Sequence, residues 1–166
     1  MRRGLPPVVG GAPRLLVLGS FPGEASLAQA RYYAHPRNQF WPILGALLDE
    51  PLPDIAYTER LERLKARHIA LWDVVAECRR RGSLDSAIRD ARGNAIERLL
   101  DAQPSLRAIA FNGAAAARAQ PRLAARGLVT YRLPSSSPAH AGMSLAHKIA
   151  QWRVLRDDGW IGVSVP

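Results

Sequence analysis

Residues able to bind a flat ring and a phosphate are concentrated in three short segments of this chain. The turn Gly19–Glu24 (GSFPGE) has two glycines around a proline, so its backbone can approach a ligand closely. Tyr32–Trp41 (YYAHPRNQFW) holds aromatic, histidine, arginine and carboxamide side chains together, and Tyr32 and Tyr33 are placed to stack on a planar ligand. Leu133–Gly142 (LPSSSPAHAG) offers hydroxyls and backbone amides, which suit phosphate oxygens.

The same residues exclude several other kinds of site. The turn Gly19–Glu24 is followed by no Gly-Lys-Ser/Thr and lacks a third glycine, so it is neither a P-loop nor a dinucleotide fingerprint. No Gly-x-Ser-x-Gly elbow surrounds Ser135–Ser137, which argues against an acyl-transfer serine. The single cysteine, Cys78, excludes an internal disulfide framework, and no histidine–carboxylate set has a metal-binding spacing. We therefore expect no metal and no cofactor.

The elements that must position these segments are the strands of a parallel sheet. Four short apolar runs lack strict alternation with polar residues, which is typical of strands buried on both faces. They are Arg14–Gly19, His68–Asp73, Leu106–Asn112 and Leu128–Leu133. Stretches with helical spacing alternate with them, so the sequence predicts a three-layer α/β/α sandwich with a central, mostly parallel four-stranded sheet. Ligands of such sheets bind beyond the carboxyl ends of the strands, and the loops that follow these runs are the ones to examine.

Several helices are defined well enough for specific predictions. Phe40 begins an apolar helical face, so Phe40 and Trp41 are expected in the core. Asn94 is the predicted N-cap of the next clear helix along the chain. An alanine-rich helix over Ala114–Ala125 is expected to be interrupted or ended at its proline, and a last helix covers Ser144–Asp157.

The length of 166 residues suits one domain, predicted over residues 14–166 and preceded by a flexible, Pro/Gly-rich N-terminal arm over residues 1–13. No apolar run approaches the roughly 20 residues that span a bilayer, and the start of the chain lacks the apolar stretch of a secretory signal. A cytoplasmic monomer with no membrane partner is expected.

The charge of the chain is strongly basic and carried by arginine. Lys65 and Lys148 are its lysines, and the formal net charge is +9. Such a surplus attracts polyanions, nucleic acid above all, although arginine usage that merely reflects genome composition explains the same count. Charge alone leaves both readings open.

Four motifs, taken together, resemble a known family. They are GSFPGEASL at Gly19–Leu27, YYAHPRNQFW at Tyr32–Trp41, FNG at Phe111–Gly113 and LPSSSPAHA at Leu133–Ala141. In order and spacing they resemble the uracil-DNA glycosylase superfamily, closest to its DNA-deoxyinosine (hypoxanthine-DNA) glycosylase branch. The resemblance implies a monofunctional enzyme of base excision repair that binds damaged DNA. Such an enzyme flips out a deaminated base (hypoxanthine, or else uracil or xanthine) and hydrolyses its N-glycosidic bond to leave an abasic site.

The resemblance also assigns catalytic roles. Asn38 corresponds to the residue that orients or polarises the hydrolytic water in this branch. Other branches place an Asp or Asn for that role in the first glycine loop, where this chain has Ser20. Neither a carboxamide nor a lone hydroxyl is a strong base, so we expect a dissociative path in which the C–N bond breaks before water adds. Backbone amides of the first turn would then stabilise the departing base.

The remaining predicted site residues bind the base or the DNA backbone. Phe21 and Tyr33 are expected to bind the base, Tyr33 by stacking, and Asp73 to accept from the N–H face of its ring. Asn112 either reads the base edge or caps the alanine-rich helix. The loop after the fourth strand is expected to bind phosphates through its three serines, to wedge into the duplex with the next two residues, and to contact phosphate or the leaving base with its histidine. These residues are Ser135, Ser136, Ser137, Pro138, Ala139 and His140.

Other basic residues bear on the type of reaction. A lyase that cuts the strand needs an amine. Lys65 is predicted in a polar helix and Lys148 on the exposed side of the last helix, both away from the site, which favours simple hydrolysis. Arg79–Arg81 either contact phosphates or form a solvated charge run, and His35 is expected to bond within its own loop. A uracil- or mismatch-specific glycosylase and a non-catalytic lesion-binding α/β module are the competing functions.

Overall fold

A computed structural model describes residues 1–162 of the chain. Its strands are β1 (Arg2–Arg3), β2 (Leu15–Gly19), β3 (Ile69–Asp73), β4 (Val75–Arg79), β5 (Arg89–Gly93), β6 (Ala108–Asn112) and β7 (Val129–Leu133). Its α-helices are α1 (Glu24–Gln29), α2 (Phe40–Leu48), α3 (Tyr57–Ala66), α4 (Ile96–Ala102), α5 (Ala114–Ala117), α6 (Gln120–Ala124), α7 (Leu145–Trp152) and α8 (Val154–Asp157). Short 3-10 turns cover Leu52–Asp54 and Asp85–Ala87.

The main sheet has four parallel strands in the order β3-β2-β6-β7. Alternate residues of β2 pack on opposite faces: Leu15 and Val17 lie in the core beneath α2, α3 and α7, whereas Leu16 and Leu18 lie in the core beneath α4, α5 and α6. Both faces are therefore covered, which is why these strands read as continuous apolar runs. The predicted α/β/α sandwich is confirmed, and Phe40 and Trp41 are core residues as predicted.

A second, antiparallel sheet in the order β1-β4-β5 was not predicted from the sequence. All five residues of β5 are exposed, so the strand has no apolar pattern to reveal it. Ion pairs cross the two long strands, at 3.5 Å between Arg79 and Asp90 and at 3.3 Å between Arg92 and Glu77. The hairpin formed by β4 and β5 carries its connecting loop to the carboxyl-terminal edge of the main sheet, as the site shows below.

The first residues differ from the loose arm that was expected. The Gly4 amide donates to the Ala76 carbonyl at 2.8 Å, and Val8 exchanges two backbone hydrogen bonds with Leu71 at 2.8 and 3.0 Å. The Tyr32 hydroxyl donates to the Pro6 carbonyl at 2.7 Å. Backbone pairing thus holds this segment on the fold, because it adds a strand to an edge that would otherwise be unpaired. The domain limits at 14 and 166 stay predictions, and residues 163–166 lie outside the described part of the chain.

Two helix predictions needed correction and one was confirmed. Asn94 does not cap α4: its amide nitrogen donates to the carbonyls of Asp73, at 2.8 Å, and Val75, at 3.3 Å, and so links the end of β3 to the hairpin. The last helix divides at Arg153 into α7 and α8. The alanine-rich helix is interrupted as predicted, since α6 starts anew with Pro121 in its first turn. Across residues 1–162, no helix is both long enough and apolar enough to cross a membrane.

Candidate active site

The candidate active site lies at the carboxyl ends of the central strands. Gly19, Asp73 and Asn112 end β2, β3 and β6, and β2 is the strand from which the chain proceeds to neighbours on both sides. Such a switch point leaves a crevice beyond the strand ends. A cavity of about 260 Å³ opens there. It is lined by the loop after β2, the segment before α2, the loop of the β4–β5 hairpin and the loop after β7.

The floor of the cavity is formed by Gly19, Asp73 and Tyr33. A Cβ atom on Gly19 would lie 2.5 Å from Asp73 Oδ1 and 3.2 Å from the Tyr33 hydroxyl, so only glycine leaves room for these groups. Asp73 Oδ2 and the Tyr33 hydroxyl are both buried with no hydrogen-bond partner among the described residues. Of the buried polar side-chain atoms in that state, these two alone belong to residues that line the cavity. Buried polar groups are normally paired, so this floor is built to receive a polar ligand.

The carboxyl group of Asp73 has a pKa close to neutral pH. Burial, together with the negative charge of Asp85, raises its pKa to about 7, and the Arg80 guanidinium opposes part of this change. The group therefore changes protonation in the physiological range, which marks functional sites more often than structural ones.

Tyr33 is held by contacts on both sides of a strained backbone. Its φ of 55° lies in the left-handed region, which is costly for an aromatic residue. The neighbouring amides are fixed, at Tyr32 by the Tyr57 hydroxyl (2.9 Å) and at Ala34 by the Ser26 hydroxyl (3.1 Å). Burial raises the pKa of the Tyr33 phenol, and the nearby Asn112 amide lowers it by less. Its hydroxyl is therefore a neutral donor aimed at the floor.

Stacking by the tyrosines is more restricted than the sequence predicts. One face of the Tyr33 ring is covered by Phe40, with ring centroids 4.0 Å apart and planes 19° from parallel. Tyr32 is only 4% exposed and packs in the core although it also lines the cavity, so its stacking on a ligand remains a prediction. The buried Phe21 ring also lines the cavity, with the Arg80 guanidinium 5.1 Å from its centroid.

The hairpin loop supplies a carboxylate that sequence reasoning missed. Ser83, Leu84 and Asp85 line the cavity, and the Ser20 hydroxyl donates to Asp85 Oδ1 at 2.5 Å. No periodic pattern leads to Asp85, because it begins a short, exposed 3-10 turn that is far from Ser20 in sequence. The available sequence signal was the presence of aspartates in a stretch dominated by arginine.

Asn38 faces the cavity from the segment before α2. Its Oδ1 accepts from the Phe40 amide at 2.9 Å, so the side chain is oriented by the start of the helix although Gln39 is the capping residue. The oxygen keeps one lone pair and the nitrogen its two protons, which suits a water molecule or a sugar oxygen. His35 accepts from the Arg37 amide at 3.0 Å, as predicted for a histidine that bonds within its own loop.

Asn112 binds the loop after β7. Its nitrogen donates to the Ser136 hydroxyl at 3.0 Å, and its oxygen accepts from the Ser136 amide at 2.9 Å. It makes no cap to α5, so that alternative is wrong. Gly113, with φ of 96°, allows the same loop to pass close by, since a Cβ there would lie 3.0 Å from that of Ser135. Asn112 therefore positions the loop, and its reading of a base edge remains a prediction.

A profile of the Uracil DNA glycosylase superfamily matches residues 6–156. The chain belongs to the uracil-DNA glycosylase superfamily. Two relatives named hypoxanthine DNA glycosylase are similar to it: one from Methanosarcina barkeri, 40% identical over 91% of this chain and 95% of its own, and one from Methanosarcina acetivorans, 38% identical over 93% and 98%.

A solved structure supports the same assignment. A solution NMR structure from Methanosarcina acetivorans, described there as a candidate uracil DNA glycosylase, superposes with a TM-score of 0.81. The two chains are 39% identical, and the match covers 93% of this chain and 98% of the other. The four sequence motifs thus identified the superfamily correctly.

In this superfamily member the serine loop is only partly available for phosphate. Ser136 is 1% exposed and bonded to Asn112 through its hydroxyl oxygen and its amide, so it positions the loop, and its contact with phosphate remains a prediction. Ser135 Oγ accepts from the Ser137 amide at 3.1 Å, and Ser137 Oγ accepts from the Ala139 amide at 3.2 Å. The hydroxyl protons of those two serines stay available to phosphate oxygens.

The end of the serine loop and the last helix also differ from expectation. Pro138 and the exposed Ala139 line the cavity, whereas His140 is exposed and lies outside the lining. Lys148, predicted on an exposed surface, is 1% exposed and donates to the His140 carbonyl at 2.9 Å. Burial lowers the pKa of this amine. It supports the loop from beneath, because it lies on the inner side of α7 and not on the outer.

Neither lysine lies in the cavity of this glycosylase-family protein. Lys65 pairs with Glu62 at 3.2 Å on α3, and Lys148 is engaged beneath the loop. In residues 1–162, no group of three or more His, Cys, Asp or Glu side chains is arranged to hold a metal ion.

Proposed function

We propose that this protein is a monofunctional hypoxanthine-DNA glycosylase that removes the base by hydrolysis and leaves an abasic site for base excision repair. The observation that carries the proposal is the pair of buried, unpartnered groups on the cavity floor, Asp73 Oδ2 and the Tyr33 hydroxyl. The names of the two Methanosarcina relatives support the choice of base.

The floor matches the hydrogen-bonding edge of hypoxanthine. Hypoxanthine carries an N1–H donor beside a carbonyl acceptor, O6, whereas adenine has an acceptor at N1 and a donor at N6. Ionised Asp73 accepts from N1–H while the Tyr33 hydroxyl donates to O6. Adenine in the same place would present its N1 lone pair to ionised Asp73 and leave the carboxylate unpaired, which costs about 1–3 kcal/mol, while the Tyr33 hydroxyl could still accept from N6–H.

Catalysis then follows from groups around the sugar. The glycosidic bond breaks with its electron pair leaving on the base, and the backbone amides of the Ser20–Gly23 turn stabilise the negative charge. Asn38 and Ser20 hold the water that adds to the oxocarbenium-like sugar. A dissociative path needs little activation of that water, which suits side chains that are weak bases.

Binding of the DNA uses the rim. Ser135 and Ser137 contact phosphates, Pro138 and Ala139 fill the space that the flipped base vacates, and the net charge of +9 attracts the backbone. Phe21 packs beside the base inside the cavity. The protein acts as a monomer, and His140 contacts a phosphate from outside the cavity.

A lesion panel tests the proposed function. Purified protein in excess is incubated with duplexes that carry a single hypoxanthine, uracil, xanthine or adenine, and abasic sites are counted by alkaline cleavage. The proposal expects excision of hypoxanthine and retention of adenine. Faster excision of uracil would instead establish a uracil glycosylase, which the same floor allows because uracil presents N3–H beside O4. Binding to all lesions without alkali-labile sites would establish a non-catalytic lesion-binding module.

Asn38→Ala tests the catalytic assignment. We expect single-turnover excision to fall about 100-fold with little change in lesion affinity, because the contact with water is made in the transition state. Pro36→Ala, an exposed change in the same segment, is the control and retains the wild-type rate. A near-normal rate for Asn38→Ala would remove Asn38 from the mechanism.

A further inference from the structure

The loop of the β4–β5 hairpin is fastened to the first glycine loop at three points. Arg80 Nη2 donates to the Pro22 carbonyl at 2.5 Å, the Glu24 amide donates to the Ser83 hydroxyl at 2.9 Å, and Ser20 donates to Asp85 at 2.5 Å. The hairpin itself is anchored because β4 pairs with both β1 and β5. Asp85 is thus an exposed side chain held in a defined place on the cavity rim.

The direction of the Ser20 hydrogen bond matters for chemistry. With its proton directed to Asp85, the hydroxyl oxygen presents lone pairs to anything else in the cavity. Ser20 directly follows Gly19, whose α-carbon lies against the floor where Asp73 holds an unpartnered oxygen. A ligand on that floor therefore has the Ser20–Asp85 pair beside it.

We propose that Asp85 is a catalytic carboxylate of this enzyme, which takes the proton of the attacking water through Ser20; this rests on the glycosylase function proposed above. The cavity then holds two carboxyl groups with separate tasks. Asp73 is buried and contacts the base, whereas Asp85 is exposed and serves the water and the sugar.

The step balances in atoms and charge. The C1′–N bond breaks, and its electron pair leaves with the base. The water oxygen forms the new bond to C1′, one water proton passes to Ser20 Oγ, and the original Ser20 proton passes to Asp85. The departing base later takes a proton from solvent, and Asp85 returns its proton to solvent at the open rim. The negative charge of Asp85 also stabilises the cationic sugar before water adds.

The hydrogen bond between Ser20 and Asp85 compensates for the absence of a general base next to Ser20 in the first glycine loop. A lone serine cannot act as a general base, but a serine hydrogen-bonded to a carboxylate can pass a proton to it. The carboxylate comes from a sequence position 65 residues away from Ser20. The tertiary structure thus supplies what the first loop does not carry.

The test compares Asp85→Asn with Asp90→Asn in two assays. Single-turnover excision is measured on a hypoxanthine duplex, and affinity on a duplex whose hypoxanthine nucleotide carries a non-cleavable 2′-fluoro group. Asp85→Asn keeps the shape of the side chain and removes its charge. We expect its rate to fall about 100-fold or more while affinity stays within about threefold of wild type. Asp90→Asn removes an equal charge from the same hairpin, outside the cavity, and retains the wild-type rate.

Two further variants separate chemistry from loop structure. Ser20→Ala should slow excision, and Asp85→Asn should cost clearly less in that variant than in wild type, since the two residues share the proton transfer and only the effect of the charge on the sugar remains. Asp85→Ala should regain part of its rate when formate is added, because the open rim admits a small carboxylate. A merely structural role would not respond to formate.

The outcomes separate this inference from the proposed function. If wild type excises hypoxanthine and Asp85→Asn does so within threefold of its rate, the catalytic carboxylate is refuted and the glycosylase function stands. Equal losses of rate and affinity, without formate rescue, would assign Asp85 a structural role and also refute the inference. A wild-type protein that excises none of the panel would overturn the proposed function and the inference together.

Discussion

The cavity has a carboxyl group on its floor and another on its rim, and the two differ in burial and in hydrogen bonding. On the floor, Asp73 is only 4% exposed, its Oδ2 has no partner within the described residues, and its pKa is raised to about 7. On the rim, Asp85 is exposed and hydrogen-bonded to Ser20. Desolvation disfavours charge on the floor, whereas the side chain on the rim is open to solvent.

The difference suits two distinct tasks. The buried polar groups of the floor have few other hydrogen-bond partners. The floor therefore discriminates between bases, because a wrong base leaves a buried group unpaired. A hydrated rim can accept a proton and return it to solvent. Neighbouring carboxyl groups whose environments differ commonly divide the work of a site in this way.

The largest expected effect on the floor is that of Gly19→Ala. Its new Cβ would lie 2.5 Å from Asp73 Oδ1, so the carboxyl and the Tyr33 hydroxyl must move. Misplacement by about 1 Å costs about 100-fold in rate, and we expect a loss of that order in single-turnover excision of hypoxanthine. Gly11→Ala, where a Cβ meets nothing within 4 Å, is the matched control. Wild-type activity in Gly19→Ala would show that the floor is not where the base is read.

A second test uses the protonation of Asp73. The ionised carboxyl accepts from N1–H more strongly than the neutral acid does, so affinity for a non-cleavable hypoxanthine duplex should rise by up to about tenfold from pH 6 to pH 8. Asp85 and Arg80 face this group as charges, and Tyr32 and Tyr33 as phenols that stay neutral, since their pKa values are raised. The rise should vanish in Asp73→Asn. A pH-independent affinity in wild type would contradict recognition by the carboxylate.

The raised pKa of Asp73 predicts that stability changes with pH in the opposite direction to affinity. Its folded pKa of about 7 exceeds the ordinary value of 3.8, so between these pH values the folded protein holds a proton that the unfolded chain has lost. The free energy of unfolding therefore declines as pH rises through this window. Thermal unfolding should show a fall in Tm from pH 5 to pH 8 that is smaller in Asp73→Asn. An equal fall in Tm in both proteins would show that a group other than Asp73 causes it.

The rim is tested by loosening its attachment. Arg80→Leu removes the hydrogen bond to the Pro22 carbonyl and the contact with the Phe21 ring. We expect about a fivefold loss of excision rate, since one hydrogen bond contributes about 1 kcal/mol to the order of the loop. Arg81→Leu removes the same charge from an exposed neighbour and controls for weaker attraction to DNA. Identical losses of excision rate in the two variants would show that the effect comes from the lost positive charge and not from the loop contact.

The smallest effect is expected for Lys148→Met. The amine donates to the His140 carbonyl outside the cavity, and methionine has a similar length, so excision should stay within about threefold of wild type. Borohydride should trap no protein–DNA adduct with either protein. A trapped adduct that Lys148→Met abolishes would establish Schiff-base chemistry and a different enzyme class.

Much of the molecule was predictable from the residues themselves. Continuous apolar runs identified all four strands of the main sheet, since burial on both faces leaves that signature. The motifs identified the superfamily, and they located residues that the structure brings to one cavity, including Ser20, Asp73 and Asn38. These features depend on local composition, which a linear sequence displays directly.

The errors concern side chains whose environment is built by distant parts of the chain. Lys148 was expected to face solvent, yet it is buried. Asn94 was expected to cap a helix and instead links β3 to the hairpin. Spacing along a helix or loop does not specify which other element packs against it, so burial of an isolated polar or aromatic residue could not be read from the pattern.

The sequence by itself determined the class of fold, the basic surface and the loops that meet at the strand ends. Only the tertiary structure decided which polar groups lack partners, what the protonation of Asp73 is and where a carboxylate stands beside Ser20. Protonation depends on desolvation and on charges nearby in space. Asp85 reaches Ser20 because an exposed hairpin, with no apolar pattern of its own, is held by backbone pairing at the edge of a second sheet.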